Sequence, residues 1–265
     1  MQAWYFDPII FSLGPLQVRW YGLMYVIGFI ISGVLLRVLV KEKLFKILPE
    51  QVDTLITYML FNMFLGSRLA YVFIYNWDYY SQHLGDIFSV WKGGLSFHGA
   101  MAGLAFGALL FSRRYKRPFL EVGDCCILAG TQGVFFGRLG NFINGELYGR
   151  VTTSPFGIIF PGGGPYPRHP SQLYEAVFEG LILFLVLWFA RKKFSQYGII
   201  TALFFIIYGI FRYSIEFFRE ADPQLGYYFG GTTTMGQILC LLMIFVGMGI
   251  FLYSKKNQER LVINC

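Results

Sequence analysis

The stretch TMGQILCLLMIFVGMGIFLY, residues 234–253, decides the fold class of this chain because it contains no charged side chain. About 20 apolar residues, each rising about 1.5 Å along a helix, cross the roughly 30 Å hydrocarbon core of a bilayer. The full chain of 265 residues is 55% hydrophobic and only 14% charged, too little to cover a soluble protein with polar surface. We therefore interpret it as an all-α, polytopic membrane protein whose single domain covers residues 1–265.

Seven apolar segments are candidate transmembrane helices by length and composition. The third and the fifth are short and only just long enough to cross. No basic region precedes the first apolar run and no small-residue cleavage site follows it, so we expect the first span to be retained. No internal repeat is visible, which argues against an inverted-repeat transporter. The predicted spans are 20–40, 54–75, 95–112, 118–137, 173–190, 197–215 and 234–253.

Basic residues mark one side of the predicted membrane protein. They follow the first, third and fifth spans and recur in the C-terminal tail, which all lie on one side if the spans alternate. The positive-inside rule makes that side cytoplasmic, so we expect the N-terminus outside and the C-terminus inside. The segments 76–94, 138–172 and 213–233 then form a small extracytoplasmic head. The basic residues are Lys41, Lys43, Lys46, Arg113, Arg114, Lys116, Arg117, Arg191, Lys192, Lys193, Lys255, Lys256 and Arg260.

The net charge of +7 follows from this topology and from attraction to anionic lipid. No nucleic-acid-binding motif is visible, so we expect membrane lipids and no nucleic acid as partners. The cysteines show no CxxC or Cys/His spacing and the three histidines are scattered, so we expect no metal site. We interpret the four cysteines as small apolar residues; they are Cys125, Cys126, Cys240 and Cys265.

The segment GRLGNFINGELYGR, residues 137–150, places two arginines, two asparagines and a glutamate at the end of a predicted span. Ionisable groups at membrane depth are costly and usually mark a functional site. In a helix Arg138 and Asn141 share a face, while Asn144 and Glu146 lie beyond them. The four glycines weaken a helix and predict that the span breaks here. We interpret the segment as a site for an anionic head group, in which an acidic residue holds an arginine in place.

Arg212 lies near the outer end of the sixth span and has two interpretations. Glu216 is four residues later, so the two residues could form an ordinary ion pair on a helix surface. A guanidinium group also binds phosphate through two parallel hydrogen bonds, which suits a head-group site. Tyr208 is one turn before Arg212, and its hydroxyl can donate to a phosphate or orient an arginine. Arg68 in the second span either snorkels outward or belongs to the same site.

His98 and Tyr21 are further candidates whose roles the sequence leaves open. His98 is the only histidine within a predicted span, and it is either an interhelical hydrogen-bonding residue or a proton acceptor. Tyr21 begins the first span, where it is either part of the interfacial aromatic belt or a donor to a phosphate.

Five motifs give the chain a resemblance to a known family. The 137–150 segment matches the signature of the bacterial prolipoprotein diacylglyceryl transferases along its whole length. Four other segments are also similar to that family and occur in the family's order, so the resemblance covers nearly the whole chain, with no departure at a motif position. They are VRWYGLMYVIGF (18–29), GGLSFHGAMAG (93–103), RHPSQLYEA (168–176) and YGIFRYSIEFFREAD (208–222).

This resemblance implies an enzyme of lipoprotein maturation that uses no metal and no dissociable cofactor. Such an enzyme transfers the sn-1,2-diacylglyceryl group of phosphatidylglycerol to the lipobox cysteine thiol of a preprolipoprotein signal peptide. The products are a thioether-linked lipid and glycerol phosphate. The resemblance also implies a seven-helix, multi-pass protein of the bacterial cytoplasmic (inner) membrane, with an active site that faces the outer leaflet.

The resemblance assigns roles to individual residues as well. Arg138 would bind the lipid phosphate, and Arg212 would be the second essential cation. His98 would be the base, although arginine-assisted ionisation of the thiol with water as proton acceptor is an alternative. The residues implied to shape or support this site are Tyr21, Asn141, Asn144, Glu146, Gly149, Tyr208 and Glu216.

Three other classes of function compete with a transferase. A lipid or anion transporter would also place arginines in the membrane, but it needs polar groups along a whole path, and the inner halves of these spans are mostly apolar. A structural membrane subunit leaves the Arg–Asn–Glu cluster unexplained. An intramembrane protease needs a Ser/His, paired-Asp or HExxH arrangement, and none is evident.

Overall fold

The structure, a computed structural model, describes residues 6–14, 16–89, 93–220, 227–228 and 233–256. Helices dominate it, as the apolar composition predicts. Arg260, Cys265 and part of the predicted head segment 213–233 lie outside the described residues.

Nine α-helical segments are found in the described part of the chain. A π-helical segment, Tyr71–Tyr75, extends α2, and another, Ala176–Ile182, joins α6 to α7; Leu84–Phe88 is a 3-10 turn. The α-helical segments are α1 (Trp20–Lys41), α2 (Pro49–Ala70), α3 (Trp77–Tyr80), α4 (Phe97–Arg114), α5 (Phe119–Asn144), α6 (Ser171–Glu175), α7 (Leu183–Ala190), α8 (Ile199–Ile215) and α9 (Met235–Lys256).

When the π-helical segments are joined to their neighbours, five continuous helices among the residues described are long and apolar enough to cross a membrane. They are Trp20–Lys41, Pro49–Tyr75, Phe119–Asn144, Ser171–Ala190 and Met235–Lys256. The other two predicted spans also form helices, α4 with 18 residues and the shorter, apolar α8 with 17. A helical, multi-pass membrane protein is therefore confirmed, while the number of seven spans and their orientation stay predictions.

The structure differs from the sequence-based prediction in three local features. The fourth span was predicted to end at residue 137, but α5 continues to Asn144. The fifth was predicted to be short, but Ser171–Ala190 is one helix of 20 residues because the π segment keeps it continuous. Two small antiparallel hairpins, β1 (Ile9–Leu13) with β2 (Leu16–Arg19) and β3 (Tyr227–Tyr228) with β4 (Thr233–Thr234), were not predicted within an all-α chain.

The chain divides into two compact units, and the first comprises Met1–Leu35 and Ile127–Cys265. Its core contains the fully buried Leu183, Leu187 and Ile199. Gln132 of α5 ties that helix to α1, because its amide nitrogen donates to the Gly28 carbonyl oxygen and to the Ser32 hydroxyl, both at 2.9 Å. A buried polar group that is paired in this way stabilises one helix register.

The second unit comprises Leu36–Cys126, with α2 packed against α4. Glycines permit this close packing, since a Cβ atom at Gly103 would lie 2.0 Å from the Asn62 carbonyl oxygen. Leu55 and Phe111 are fully buried in this unit. Glu121, near the C-terminal end of this unit, is also buried and pairs with Arg117.

Candidate active site

The end of α5 carries the first group of predicted site residues. The four glycines of the 137–150 segment predicted a broken helix, but the helix continues through Gly137 and Gly140 and ends at Asn144. Gly145 then turns the chain with a φ of +66°, which favours glycine at this position. Arg138 and Asn141 therefore share one face of a regular helix, as their spacing predicts.

Glu146 pairs with asparagines. The side-chain nitrogens of Asn141 and Asn144 donate to its Oε1 at 2.8 Å and 3.2 Å. The interpretation that the acidic residue of this segment holds an arginine is therefore wrong. The reason is the turn at Gly145, which carries Glu146 back over the last turn of α5, where its backbone nitrogen donates to the Asn141 carbonyl.

Arg138 is instead held by two carboxylates of another helix. Its Nε lies 2.7 Å from Oε2 of Glu175, and its Nη2 lies 3.9 Å from Oε2 of Glu179. Both glutamate side chains are fully buried, while the Arg138 side chain is 20% exposed. The guanidinium group is therefore held by two buried carboxylates while part of the Arg138 side chain stays exposed, an arrangement that suits the binding of an anion.

Arg212 on α8 faces the same two carboxylates. Its Nε lies 3.9 Å from Oε1 of Glu179, and its Nη1 lies 4.0 Å from Oε1 of Glu175. The same Nη1 lies 2.6 Å from Oε2 of Glu216, so the predicted ion pair within α8 is present. Glu216 in turn accepts a hydrogen bond of 2.8 Å from the Thr234 hydroxyl. Arg138 and Arg212, 74 positions apart in the chain, are thus brought together by shared acidic partners.

Tyr208 belongs to this cluster as well. It interacts electrostatically with Glu179, Arg138 and Arg212. This agrees with its predicted position one turn before Arg212 on the same face of α8. A third arginine, Arg219, lies 3.3 Å from Oε1 of Glu175.

Gly180 explains how the two glutamates reach Arg138. A Cβ atom at this position would lie 2.5 Å from the Phe135 backbone nitrogen, so the π-helical segment Ala176–Ile182 touches the backbone of α5. Phe135 is three residues before Arg138, and Glu179 is the neighbour of Gly180. The close approach of the two backbones therefore places Glu179 beside Arg138.

The two glutamates are the site residues that the sequence analysis missed. Glu175 lies in the family-like segment RHPSQLYEA, but no role was assigned to it. The available signal was the pair Glu175 and Glu179, four residues apart within an otherwise apolar predicted span. Ionisable residues inside a span usually face the protein interior and have a partner, so this spacing predicts a shared buried face.

Tyr21 lies beside the asparagine end of the site. Its hydroxyl is 3.0 Å from that of Tyr25, and it interacts electrostatically with Asn141 and Glu146. Gly140 permits this packing, because a Cβ atom there would lie 2.8 Å from the Tyr21 ring. The structure thus groups Tyr21 with the predicted site residues of α5.

Gly149 lies where three backbone segments meet. Its nitrogen donates to the His169 carbonyl at 2.8 Å, and a Cβ atom there would lie 2.3 Å from the Phe218 carbonyl oxygen. The next residue, Arg150, donates its backbone nitrogen to that Phe218 carbonyl at 2.9 Å. Any larger side chain at Gly149 would separate the segment after α5 from the segment after α8, so this glycine permits their close approach.

His98 and Arg68 are found in the second unit. His98 is exposed, and its Nδ1 lies 3.0 Å from the Tyr75 hydroxyl. The contact with Tyr75 therefore involves Nδ1 and not Nε2. Arg68 is buried and donates to the backbone carbonyls of Asp86, Ile87, Gly93 and Gly94. Arg68 therefore holds the segment before α4 in place, with four of its five N–H donors bonded to backbone carbonyls, and does not snorkel outward.

The cysteines that the structure describes are free thiols. Cys125 and Cys240 are buried and Cys126 is partly buried. This placement agrees with their interpretation as small apolar residues.

Comparison with known proteins identifies what the chain is similar to. Residues 8–253 match the family model described as prolipoprotein diacylglyceryl transferase. Three relatives carry the name phosphatidylglycerol–prolipoprotein diacylglyceryl transferase. That of Nitratidesulfovibrio vulgaris strain Miyazaki F is 48% identical over 96% of both chains. That of Mannheimia succiniciproducens is 49% identical over 96% of this chain and 95% of its own. That of Geobacter sulfurreducens is 45% identical over 97% of this chain and 99% of its own.

Proposed function

This chain belongs to the prolipoprotein diacylglyceryl transferase family, and we propose that the arginine pair Arg138 and Arg212 forms its active site. It is an enzyme of lipoprotein biosynthesis that transfers a diacylglyceryl group from phosphatidylglycerol to a prolipoprotein. The observation that carries this assignment is identity of nearly one half over 96% of both chains. The competing interpretation as a lipid or anion transporter is not favoured, because the relatives carry the name of a transferase.

The reaction that fits these substrates is attack of a thiolate on the C3 carbon of the lipid glycerol. The sulfur–carbon bond forms while the bond from C3 to the phosphate oxygen breaks, so the thioether stays on the prolipoprotein. The bonding electrons leave with the oxygen as glycerol phosphate. A free thiol with a pKa of about 8.5 must first lose its proton. The leaving phosphate must then be stabilised while it gains charge in an apolar setting.

Arg138 and Arg212 address the charge on the phosphate. Each is held on its buried side by glutamates, and each keeps part of its side chain exposed, 20% for Arg138 and 14% for Arg212. Fixed donors of this kind stabilise charge that develops in the transition state, because they need little reorganisation in a medium of low dielectric constant. A thiol placed directly against these guanidinium groups would also ionise more readily, because their N–H donors would stabilise the thiolate.

His98 is the protein group that we propose as acceptor of the thiol proton. Its ring nitrogen Nδ1 contacts Tyr75, and this contact favours one orientation of the ring, with Nε2 available. Arginine-assisted ionisation with water as acceptor remains the alternative. The supporting roles are assigned to Tyr21, Asn141, Asn144, Glu146, Gly149, Tyr208 and Glu216.

The membrane placement is part of the proposal. A multi-pass protein with the predicted basic connections on the cytoplasmic side would present Arg138 and Arg212 towards the outer leaflet of the cytoplasmic membrane. α4 and α8 would then complete seven spans. Labelling of single cysteines introduced after α3 and after α4, with a reagent that does not cross the membrane, tests this orientation. Labelling of the position after α4 in intact cells would contradict it.

The activity is tested with purified protein in detergent, phosphatidylglycerol and a peptide that contains a lipobox cysteine. We expect the peptide to gain the mass of one diacylglyceryl group. Arg138→Ala should abolish this gain, and a peptide in which serine replaces the cysteine should show none. A folded wild-type protein that produces no gain with native lipids present would overturn the assignment.

A further inference from the structure

Glu179 is a buried charged residue to which the proposed chemistry assigns no step of its own. Its side chain is fully buried on the π-helical segment between α6 and α7. Its Oε2 lies 3.9 Å from Nη2 of Arg138 and its Oε1 lies 3.9 Å from Nε of Arg212. Glu179 therefore sits between the two arginines, with one carboxylate oxygen towards each.

The contacts of Glu179 are looser than those of the other two carboxylates in the cluster. Glu175 lies 2.7 Å from Arg138 through Oε2 and accepts a hydrogen bond of 3.3 Å from Arg219 through Oε1. Glu216 lies 2.6 Å from Arg212 through Oε2 and accepts a hydrogen bond from Thr234 through Oε1. Neither oxygen of Glu179 makes a hydrogen bond of good geometry, although the Tyr208 hydroxyl is close enough to interact with it. Glu179 is therefore the carboxylate that loses least when it takes a proton.

The charges of the cluster favour the uptake of a proton when a lipid binds. Three cations, Arg138, Arg212 and Arg219, face three carboxylates, Glu175, Glu179 and Glu216, so the formal charges of these six described side chains cancel before any lipid binds. A bound phosphodiester adds one negative charge to this buried group. An uncompensated charge in a low-dielectric site is costly, and protonation of one carboxylate removes it.

We propose that Glu179 is a positioning residue that holds Arg138 and Arg212 as a pair and takes up one proton when the phosphodiester of the lipid binds to them. This inference rests on the proposed function of the two arginines. Glu179 acts from the buried side, through the arginines, while the lipid phosphate occupies their exposed side.

The groups that face Glu179 come from four elements. Two of them are cations, one is a second carboxylate, and two are groups that are neutral at physiological pH. They are Arg138 on α5, Glu175 on α6, Tyr208 and Arg212 on α8, and Cys240 on α9. The two neutral groups, a phenol and a thiol, ordinarily ionise above pH 8. Lipid-linked proton uptake within the cluster near neutral pH therefore falls to a carboxylate, Glu175, Glu179 or Glu216, and the looser contacts of Glu179 select it.

The proton has a defined path through one turnover. It is taken from water when the lipid binds. When the C3–O bond breaks, the leaving glycerol phosphate gains a second negative charge, and the proton on Glu179 can pass to it through the site. The thiol proton goes separately to the acceptor of the nucleophile. Release of glycerol phosphate then returns Glu179 to its ionised form between the arginines.

The proposal is tested by binding of phosphatidylglycerol to the whole enzyme in detergent without any acceptor peptide, so that no turnover occurs. Calorimetry in buffers of different ionisation enthalpy should show uptake of about one proton per lipid bound at neutral pH. Because binding takes up a proton, the Kd should rise with pH, by up to about tenfold per pH unit. Glu179→Gln, which mimics the protonated form, should remove both the uptake and the slope.

Two variants make the outcome decisive. Glu121→Gln changes another buried, ion-paired glutamate, which lies in the second unit outside the proposed site, and it should keep the wild-type pH slope. Glu179→Asp retains the carboxyl group and should restore the proton uptake that Glu179→Gln lacks. No proton uptake by the wild-type enzyme, or an unchanged slope in Glu179→Gln, would overturn the proposal. The transferase assay with wild-type enzyme separately decides whether the proposed function holds.

Discussion

Nε of Arg138 lies 2.7 Å from Oε2 of Glu175, so Arg138 on α5 is held by a carboxylate of a different helix, α6. The same glutamate lies 3.3 Å from Arg219 and 4.0 Å from Arg212. One fully buried side chain thus contacts three cations from separate parts of the chain. The geometry of the proposed phosphate site therefore depends on Glu175, a residue outside the 137–150 segment.

Glu175→Gln should be severely damaging. The change leaves the buried arginines short of one negative charge, and removal of one partner from a buried pair typically costs about 3–5 kcal/mol. We expect a lower midpoint of thermal unfolding in detergent and a large loss of kcat/KM. If the residue acts through Arg138, the effects of Glu175→Gln and Arg138→Gln will be strongly non-additive. Simple additivity of the two would argue against their functional pairing.

Arg138→Lys should lower kcat/KM by about a hundredfold or more, because one lost donor to a developing negative charge typically costs that much. Lysine keeps the charge but loses the planar fork of donors that binds a phosphate and a carboxylate together. Diacylglyceryl transfer to a lipobox peptide is the measurement. Arg37→Lys is the matched control, since Arg37 forms an exposed ion pair with Asp53 and should tolerate the change. Near-normal activity of Arg138→Lys would show that charge alone suffices.

Gly180→Val should separate the helix Ser171–Ala190 from α5. The first added carbon already lies 2.5 Å from the Phe135 backbone nitrogen, and overpacking of this kind costs about 1–3 kcal/mol. Displacement of this helix would also move Glu179, the neighbour of Gly180, away from Arg138. We therefore expect the loss of activity to exceed the loss of stability. Gly130→Ala on α5 is the control, since its added carbon meets open space and alanine favours a helix. Equal behaviour of the two variants in thermal unfolding and turnover would contradict this account.

Tyr75→Phe should lower kcat while leaving the KM for phosphatidylglycerol nearly unchanged. The change removes the hydroxyl that lies 3.0 Å from Nδ1 of His98, so the imidazole ring loses a group that orients it. A single hydrogen bond of this kind is worth about 0.5–1.5 kcal/mol, which corresponds to a few-fold to roughly tenfold effect. Tyr253→Phe, at an exposed position of α9, controls for loss of a hydroxyl. A Tyr75→Phe enzyme with an unchanged kcat and pH profile would count against His98 as the base.

Replacement of Cys125 and Cys126 by alanine should leave turnover intact. Both are free thiols, one buried and one partly buried, and the reacting thiol is supplied by the prolipoprotein. The double variant is assayed for transfer beside the wild-type enzyme. Loss of activity in a folded double variant would contradict their interpretation as apolar packing residues.

Several features of the site follow from local sequence. The spacing of Arg138 and Asn141 predicts a shared helix face, and the spacing of Arg212 and Glu216 predicts their ion pair, which the structure contains at 2.6 Å. Both predictions succeed because a helix repeats every 3.6 residues, so neighbours on its surface can be read from the order of residues.

Other contacts of the candidate residues could not be predicted from helix periodicity. The sequence suggested Glu146 as the partner of an arginine, but the turn at Gly145 directs that carboxylate to Asn141 and Asn144. Arg68 resembled a residue of the anion site, yet it is buried against four backbone carbonyls. In both positions the partner is chosen by the path of the backbone after a helix ends, and no periodicity describes that path.

The sequence by itself determined that this is a membrane protein. A chain that crosses hydrocarbon must satisfy its backbone hydrogen bonds within long apolar helices, and these helices can be recognised from composition alone. Its motifs also determined the family, and they suggested Arg138 and Arg212 as the residues of the proposed site. The spacing of Arg212 and Glu216 predicted one ion pair, but only the tertiary structure decided that Glu175 and Glu179 also hold those arginines. Glu175 and Glu179 reach them because Gly180 lets two helix backbones touch, and the helix Ser171–Ala190 carries Glu175 at the end of α6 and Glu179 in its π-helical segment beside that point of contact. Contacts between distant helices depend on backbone separation, which local residue spacing does not encode.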